Sequence, residues 1–206
     1  MNNNKLCIVK LEIMLTDRQL EIVQTSIQLI AQKGIQGLTL KNLSKEIGIS
    51  EPAIYRHYEN KIEILISILD YFIEHTMGIF TTEIQKQGSA IDKIERIFMS
   101  HFEVFSSSPA LVAVIFSEEI FRNEPVLTQR VKDIMERNSR AINTIIEEGK
   151  ASGQFEQDVS SKHMTIIIMG SLRLLVKQWQ MADFGFDLRN EGAAFFQSLK
   201  KIVLTH

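Results

Sequence analysis

The chain has few of the residues that interrupt helices or cross-link a fold: of 206 residues, 3 are proline, 10 are glycine and 1 is cysteine. The single thiol, Cys7, excludes an internal disulfide framework and suits a reducing compartment such as the cytoplasm. Sparse helix breakers beside 45% hydrophobic residues argue against a disordered chain and against a β-sandwich. The longest apolar run, Met164 to Val176, is too short to span a bilayer and contains Arg173. The start of the chain lacks a basic region leading into an apolar core, so no secretion signal is expected. HExxH, CxxC, a Gly-rich phosphate loop and GxSxG are all absent, and the histidines at 57, 75, 101, 163 and 206 include no pair at the spacing of a helical metal site. Neither a metal, a cofactor nor an enzyme activity has a motif to support it. No repeat or low-complexity segment appears.

What is present is a stretch from Thr39 to Lys61 that reads as two short helices around a tight turn. Thr39 can cap the first by accepting from a free N–H of its first turn. Leu40, Leu43 and Ile47 share one face. Gly48 can take the left-handed conformation that ends this helix. Ser50 can cap the second, and Pro52 is tolerated in its first turn. Ile54 and Tyr58 point one way; Pro52, Ala53, Tyr55 and Arg56 lie on the opposite and flanking sides. Small, aromatic and basic residues on an exposed helix suit a DNA groove. Small residues permit close approach and touch thymine methyls, Arg forks onto guanine, and Tyr or His reaches phosphates. Helix, Gly-containing turn, helix is the helix-turn-helix geometry.

Through Thr39, Leu43, Gly48, Ser50, Ile54, Tyr55, His57, Tyr58 and Lys61, the stretch resembles the DNA-binding signature of the TetR/AcrR family of bacterial repressors. Two positions depart from that pattern: Tyr58 stands where Phe is common, and Glu51 where a small, polar or basic residue is usual. Glu51 would be repelled by phosphate but could accept from a cytosine amino group. The resemblance implies that Thr39, His57 and Lys61 hold phosphates, that Pro52, Ala53, Tyr55 and Arg56 face base edges, and that Ser50 and Glu51 belong to the same interface.

Upstream, Thr16 to Gln19 fits a capping box, and Leu20, Val23, Ile27 and Ile30 continue as an apolar stripe that Gly34 ends. Met14 precedes this helix as either the functional start or a core residue; 1–13 have no assignment. The expected architecture is all-α: a three-helix helix-turn-helix head over 14–60, and a helical ligand-binding and dimerisation body over 61–206. Net charge is −2, but residues 1–61 hold eight Lys/Arg and six Asp/Glu, a balance of 8 − 6 = +2, and the remainder holds 15 and 19, 15 − 19 = −4. A mildly basic head on an acidic body fits DNA bound at one end.

In the body, helical patterns run from Lys61 to about Lys86, over 90–106, from Pro109 (capped by Ser108) to about Phe121, from Pro125 to about Ala151, from a cap at Asp158 or Ser160 to about Ala182, and from Asp187 onward. The last stripe, Leu188, Gly192, Phe195, Phe196, Leu199, Ile202 and Val203, beside Ala193 and Ala194, serves either a dimer or the monomer's own packing. The resemblance implies the dimer, each subunit giving its last two helices to a four-helix bundle. The middle helices carry Phe98, Phe102, Phe105, Phe116 and Phe121, which are either ordinary core or the lining of a cavity for an apolar small molecule; the resemblance favours a cavity. His101, Glu119, Arg122 and Arg173 either supply its polar contacts or are ordinary surface or salt-bridged residues. Arg173 interrupts an apolar helix and, if buried, needs a carboxylate of the protein or an acidic ligand.

These readings converge on a homodimeric transcriptional repressor bound to a palindromic double-stranded DNA operator and released by a small apolar or amphipathic effector, in the cytoplasm and with no membrane partner. The alternatives are a DNA-bound adaptor controlled by a protein partner, or a small-molecule binding protein or enzyme that keeps the head as a relic. An adaptor would have a solid body with an exposed apolar patch.

Overall fold

The computed structural model describes residues 15–117 and 124–204, with all their side chains except those of His75 and Met77. Helix caps set most of the boundaries. α1 (Asp17–Gly37) opens on the capping box: Gln19 N–H donates to Thr16 Oγ1, and the Gln19 side chain accepts from the Thr16 N–H. Gly34, at φ 68°, breaks the helical run and leaves one further turn. α2 (Leu40–Ile47) starts on Thr39, whose hydroxyl accepts from Asn42 N–H at 3.1 Å, and ends on left-handed Gly48. α3 (Glu51–Tyr55) follows, with Pro52 in its first turn. α4 (Lys61–Gln85) is capped by Asn60, which accepts from two backbone N–H groups.

α5 (Ala90–Ser107) is capped by Ser89 and turns sharply into α6 (Pro109–Ile115). Ser108 occupies the cap position of α6 without a side-chain capping bond. α6 stops at Ile115, short of the expected Phe121; Glu119, Phe121 and Arg122 lie outside the described residues. α7 (Pro125–Ala151), α8 (Ser161–Met181, capped by Ser160 rather than Asp158) and α9 (Leu188–Val203, capped by Asp187) complete the chain. Strands are absent among the described residues, apart from one isolated bridge between Phe155 and Leu204.

The head core is the face the sequence marked: Ile22, Val23 and Ile27 of α1 are buried with Leu43 and Ile54, and Tyr58 closes it. Each such side chain removed from water contributes roughly 1.5–3 kcal/mol. α1 packs on α2, on α4 and also on α6 of the body. α4 is long and apolar enough to span a bilayer by length and composition, contrary to the expectation from apolar runs alone. Its apolar residues are core, however: Ile64, Leu65, Ile68, Leu69 and Phe72 are buried, and buried Asp70 accepts from Arg130 of α7 at 2.8 Å.

The stripe on α9 divides in two. Leu188, Gly192, Phe196, Leu199 and Val203 are buried in the monomer, where α9 packs on α5. A Cβ on Gly192 would lie 2.4 Å from the Phe102 ring. Helix propensity alone favours Ala over Gly by about 1 kcal/mol, but overpacking of this kind costs about 1–3 kcal/mol. Gly192→Ala is therefore expected to destabilise the protein, read as a lower urea midpoint at unchanged slope. A midpoint raised by the substitution would contradict this packing.

Candidate functional site

Two places in the molecule leave candidate contact residues accessible. The first is the outer face of the head. Ile54 is wholly buried, and anchoring it turns the rest of α3 outward: Glu51, Pro52 and Arg56 are exposed, Tyr55 is 53% exposed, and Ala53 is half-buried between them. Thr39 and Ser50 are exposed at the starts of α2 and α3, and His57 is half-buried just past the end of α3. The predicted contact residues of α2 and α3 are thus open to solvent or half-buried, and Lys41 and Lys45 of α2 are exposed as well.

Two of them do more, or less, than expected. Ser50 occupies the cap position of α3, but its hydroxyl makes no capping bond. The turn is started by the backbone, with Ala53 N–H donating to Ser50 O at 2.9 Å. Lys61 is not simply a surface cation: its Nζ donates to the Ile35 carbonyl at 2.9 Å, at the C-terminal end of α1. A cation there is favoured by the negative end of the helix dipole and adds a second donor to a carbonyl that already accepts from Leu38 N–H. Partial burial also lowers the Lys61 pKa. Sequence reasoning missed this role because the bond joins residues 26 positions apart.

The second place is a cavity of about 270 Å³ in the body, enclosed by α4 to α8. One wall is a run of aromatic rings. Phe80 meets His101 at 5.0 Å, His101 meets Phe105 at 5.7 Å, Phe105 meets Phe116 at 5.9 Å, and Phe72 stacks on Phe105 at 6.1 Å. Leu69, Ile97, Ile134 and Met169 fill in the apolar lining, and Asn138, Ser139 and Thr165 add neutral polar groups. Met135, Ile166 and Arg173 line the cavity yet are exposed, so they mark its mouth between α7 and α8.

Of the predicted lining, Phe105, Phe116 and Arg173 are in place. Phe98 and Phe102 are not: both are fully buried where α5 packs on α9, Phe98 meeting Phe196 at 5.0 Å and Phe102 packing over Gly192. Phe121 falls outside the described residues. Arg173 is not a buried cation in need of a carboxylate. It is exposed, and its guanidinium lies over the Phe116 ring at 4.9 Å from the centroid. Phe72 and Phe80 of α4 also belong to the lining.

His101 is 4% exposed, and its Nδ1 donates to the Ile97 carbonyl at 2.8 Å. Burial outweighs this bond and holds its pKa down to about 4, so the ring is neutral at pH 7. Among the described residues, no group of three or more potential metal ligands occurs.

A helix-turn-helix head joined to a helical body with an apolar cavity defines a class, the DNA-binding regulators that carry a ligand pocket. Residues 22–68 match the profile described as bacterial regulatory proteins, tetR family, and residues 69–201 match that of the YsiA-like protein C-terminal region. The chain belongs to the tetR family of bacterial regulatory proteins and is a DNA-binding transcriptional regulator. Over 171 residues it is 22% identical to the fatty acid metabolism regulator protein of Bacillus subtilis (strain 168), covering 83% of this chain and 88% of that one. It is equally 22% identical to the nucleoid occlusion factor SlmA of Vibrio atlanticus (strain LGP32), over 84% of this chain and 88% of the relative. Its fold is shared with the transcriptional regulator FadR from Bacillus subtilis in complex with stearoyl-CoA, at a TM-score of 0.76 and 21% identity, over 86% of this chain and 95% of that one.

Two measurements check this site. Lys61→Ala is expected to lower unfolding stability by about 1 kcal/mol and to reduce the salt slope of DNA binding by about one unit. A loss of stability with the slope unchanged would assign Lys61 to the fold of the head alone. For His101, the unfolded chain takes up a proton near pH 6.5 that the native state refuses until about pH 4. Its contribution is present above pH 6.5 and is lost as pH falls through that window, up to about 3 kcal/mol. His101→Gln should flatten the pH dependence of stability there; an unaltered profile would mean that His101 protonates freely in the native state.

Proposed function

We propose that the protein is a homodimeric repressor whose two heads enter the major groove at the halves of a palindromic operator, and which a small apolar or amphipathic ligand releases. The observation that carries this reading is that α1 touches both machines. It walls the head core and packs on α6, and α6 supplies Ile115 and, at its end, Phe116 to the cavity lining. A ligand that prefers a body conformation with α6 displaced would move α1, and with it the head. Release then follows from its different affinities for the two states.

Thr39, His57 and Lys61 are assigned to phosphates, with Ser50 beside them. Pro52, Ala53, Tyr55 and Arg56 are assigned to base edges, with Glu51 at the rim. A bound dimer in the cytoplasm would exclude polymerase from the promoter.

The dimer is assigned to the faces of α8 and α9 that the monomer leaves uncovered. On α8, Ile167, Leu174 and Met181 recur at helical spacing, with Leu174 60% and Met181 75% exposed. On α9, Ile202 is 68% exposed, beside exposed Ala194 and half-buried Phe195. An uncovered apolar surface of this kind marks an interface. The cavity disfavours an adaptor with a solid body, and an exposed Tyr55–Arg56 pair disfavours a relic head.

Leu174→Glu would place a charge at the centre of this face. Sedimentation is expected to show monomers, with operator affinity falling by at least about a hundredfold because a single head contacts only one half-site. A dimer that survives the substitution would move the interface elsewhere. Arg56→Ala should relax preference at one operator position by roughly 1–3 kcal/mol; equal weakening on every sequence would make Arg56 a backbone contact.

A further inference from the structure

The cavity distributes charge unevenly. Among the described residues that line it, Arg173 is the one cationic side chain, and no carboxylate is present. Arg173 also forms no ion pair among the described residues; its guanidinium rests on the Phe116 ring. The site is open on that side, because Arg173 is exposed beside Met135 and Ile166. The interior end is different. His101 lies between Phe80 and Phe105, is buried and is neutral at pH 7, so it offers no charge to an anion there.

A ligand with one charged end therefore has one orientation available: the apolar part inside, along the aromatic wall, and the charge at the mouth. The guanidinium is planar and carries five donors, which suits bidentate capture of an oxyanion. A cation at the same place would meet Arg173 as a like charge. Volume limits the apolar part. A cavity of about 270 Å³ admits a chain of medium length.

Resting on the ligand-released reading above, we infer that the effector is a medium-length apolar chain ending in an oxyanion, and that Arg173 at the mouth of the cavity is the residue that selects the anion. The carboxylate of an alkyl acid and the phosphate of an alkyl monoester share this chemistry.

The test is calorimetric titration of the purified full chain with five probes of one chain length: decanoate, decyl phosphate, decan-1-ol, decyltrimethylammonium and decanoyl-coenzyme A. Arg173→Gln is run beside the wild type. The wild type is expected to bind decanoate or decyl phosphate at least about tenfold more tightly than decan-1-ol, as charge-assisted hydrogen bonds exceed neutral ones, and to bind the ammonium most weakly. The tighter of the two anions identifies the source. In Arg173→Gln the preference should shrink to within about twofold while the decan-1-ol affinity is kept, which also shows that the variant is folded.

Equal binding of anion and alcohol by the wild type would overturn the inference and leave the ligand-released reading standing. So would a preference that survives in Arg173→Gln, or tight binding of decanoyl-coenzyme A with no binding of decanoate. Failure of every chain to bind would overturn both.

Discussion

The packing of α1 against α6 is the constraint on which the rest depends. The head is small: α3 packs chiefly on α2, and α2 on α1. Its orientation therefore follows from how α1 is held, and α1 is held by α4 and α6 together. α4 is tied to α7 through Asp70 and Arg130, and α6 closes one side of the cavity. Any change in the body that shifts α6 or the start of α4 must be absorbed at α1 or passed to α3. Packed cores respond to such shifts by switching between discrete arrangements rather than by bending continuously.

Electrostatics contributes less to this design than the function would suggest. The net charge of −2 offers no long-range attraction to DNA. Binding must come from local placement: exposed Lys41, Lys45 and Arg56 in the head, and the acidic excess on the body. The same economy holds in the cavity, where neutral His101 is buried and Arg173 sits at the rim. Keeping the only lining cation among the described residues at the surface avoids the cost of burying an unpaired charge.

Features of the fold that depend on local chemistry were legible in the sequence. The caps at Thr16, Thr39 and Asp187 and the left-handed turn at Gly48 depend on residues within four positions of one another, and the structure has them as read. The outward face of α3 followed from burying Ile54 and Tyr58. What depends on which neighbour a helix meets was not legible. Phe98, Phe102 and Phe105 are all apolar at helical spacing on α5, and only the position of α9 decides that the first two are core and the third is lining. Whether Arg173 was a surface residue or a buried cation stayed open in the sequence, because an apolar helix hides which of its faces stays uncovered; the structure has it exposed. The bond from Lys61 to Ile35 and the division of the α9 stripe are likewise products of tertiary packing.

The most direct test of the account is a random-sequence DNA selection with the purified protein, followed by titration of the enriched sequence at two salt concentrations with Tyr55→Ala beside the wild type. The expected result is a sequence with two related halves whose centres lie about 34–36 Å apart or further, bound more weakly at higher salt, and no longer preferred by Tyr55→Ala. Failure to enrich any sequence, or equal preference by Tyr55→Ala, would contradict the assignment of α3 as the reader of DNA.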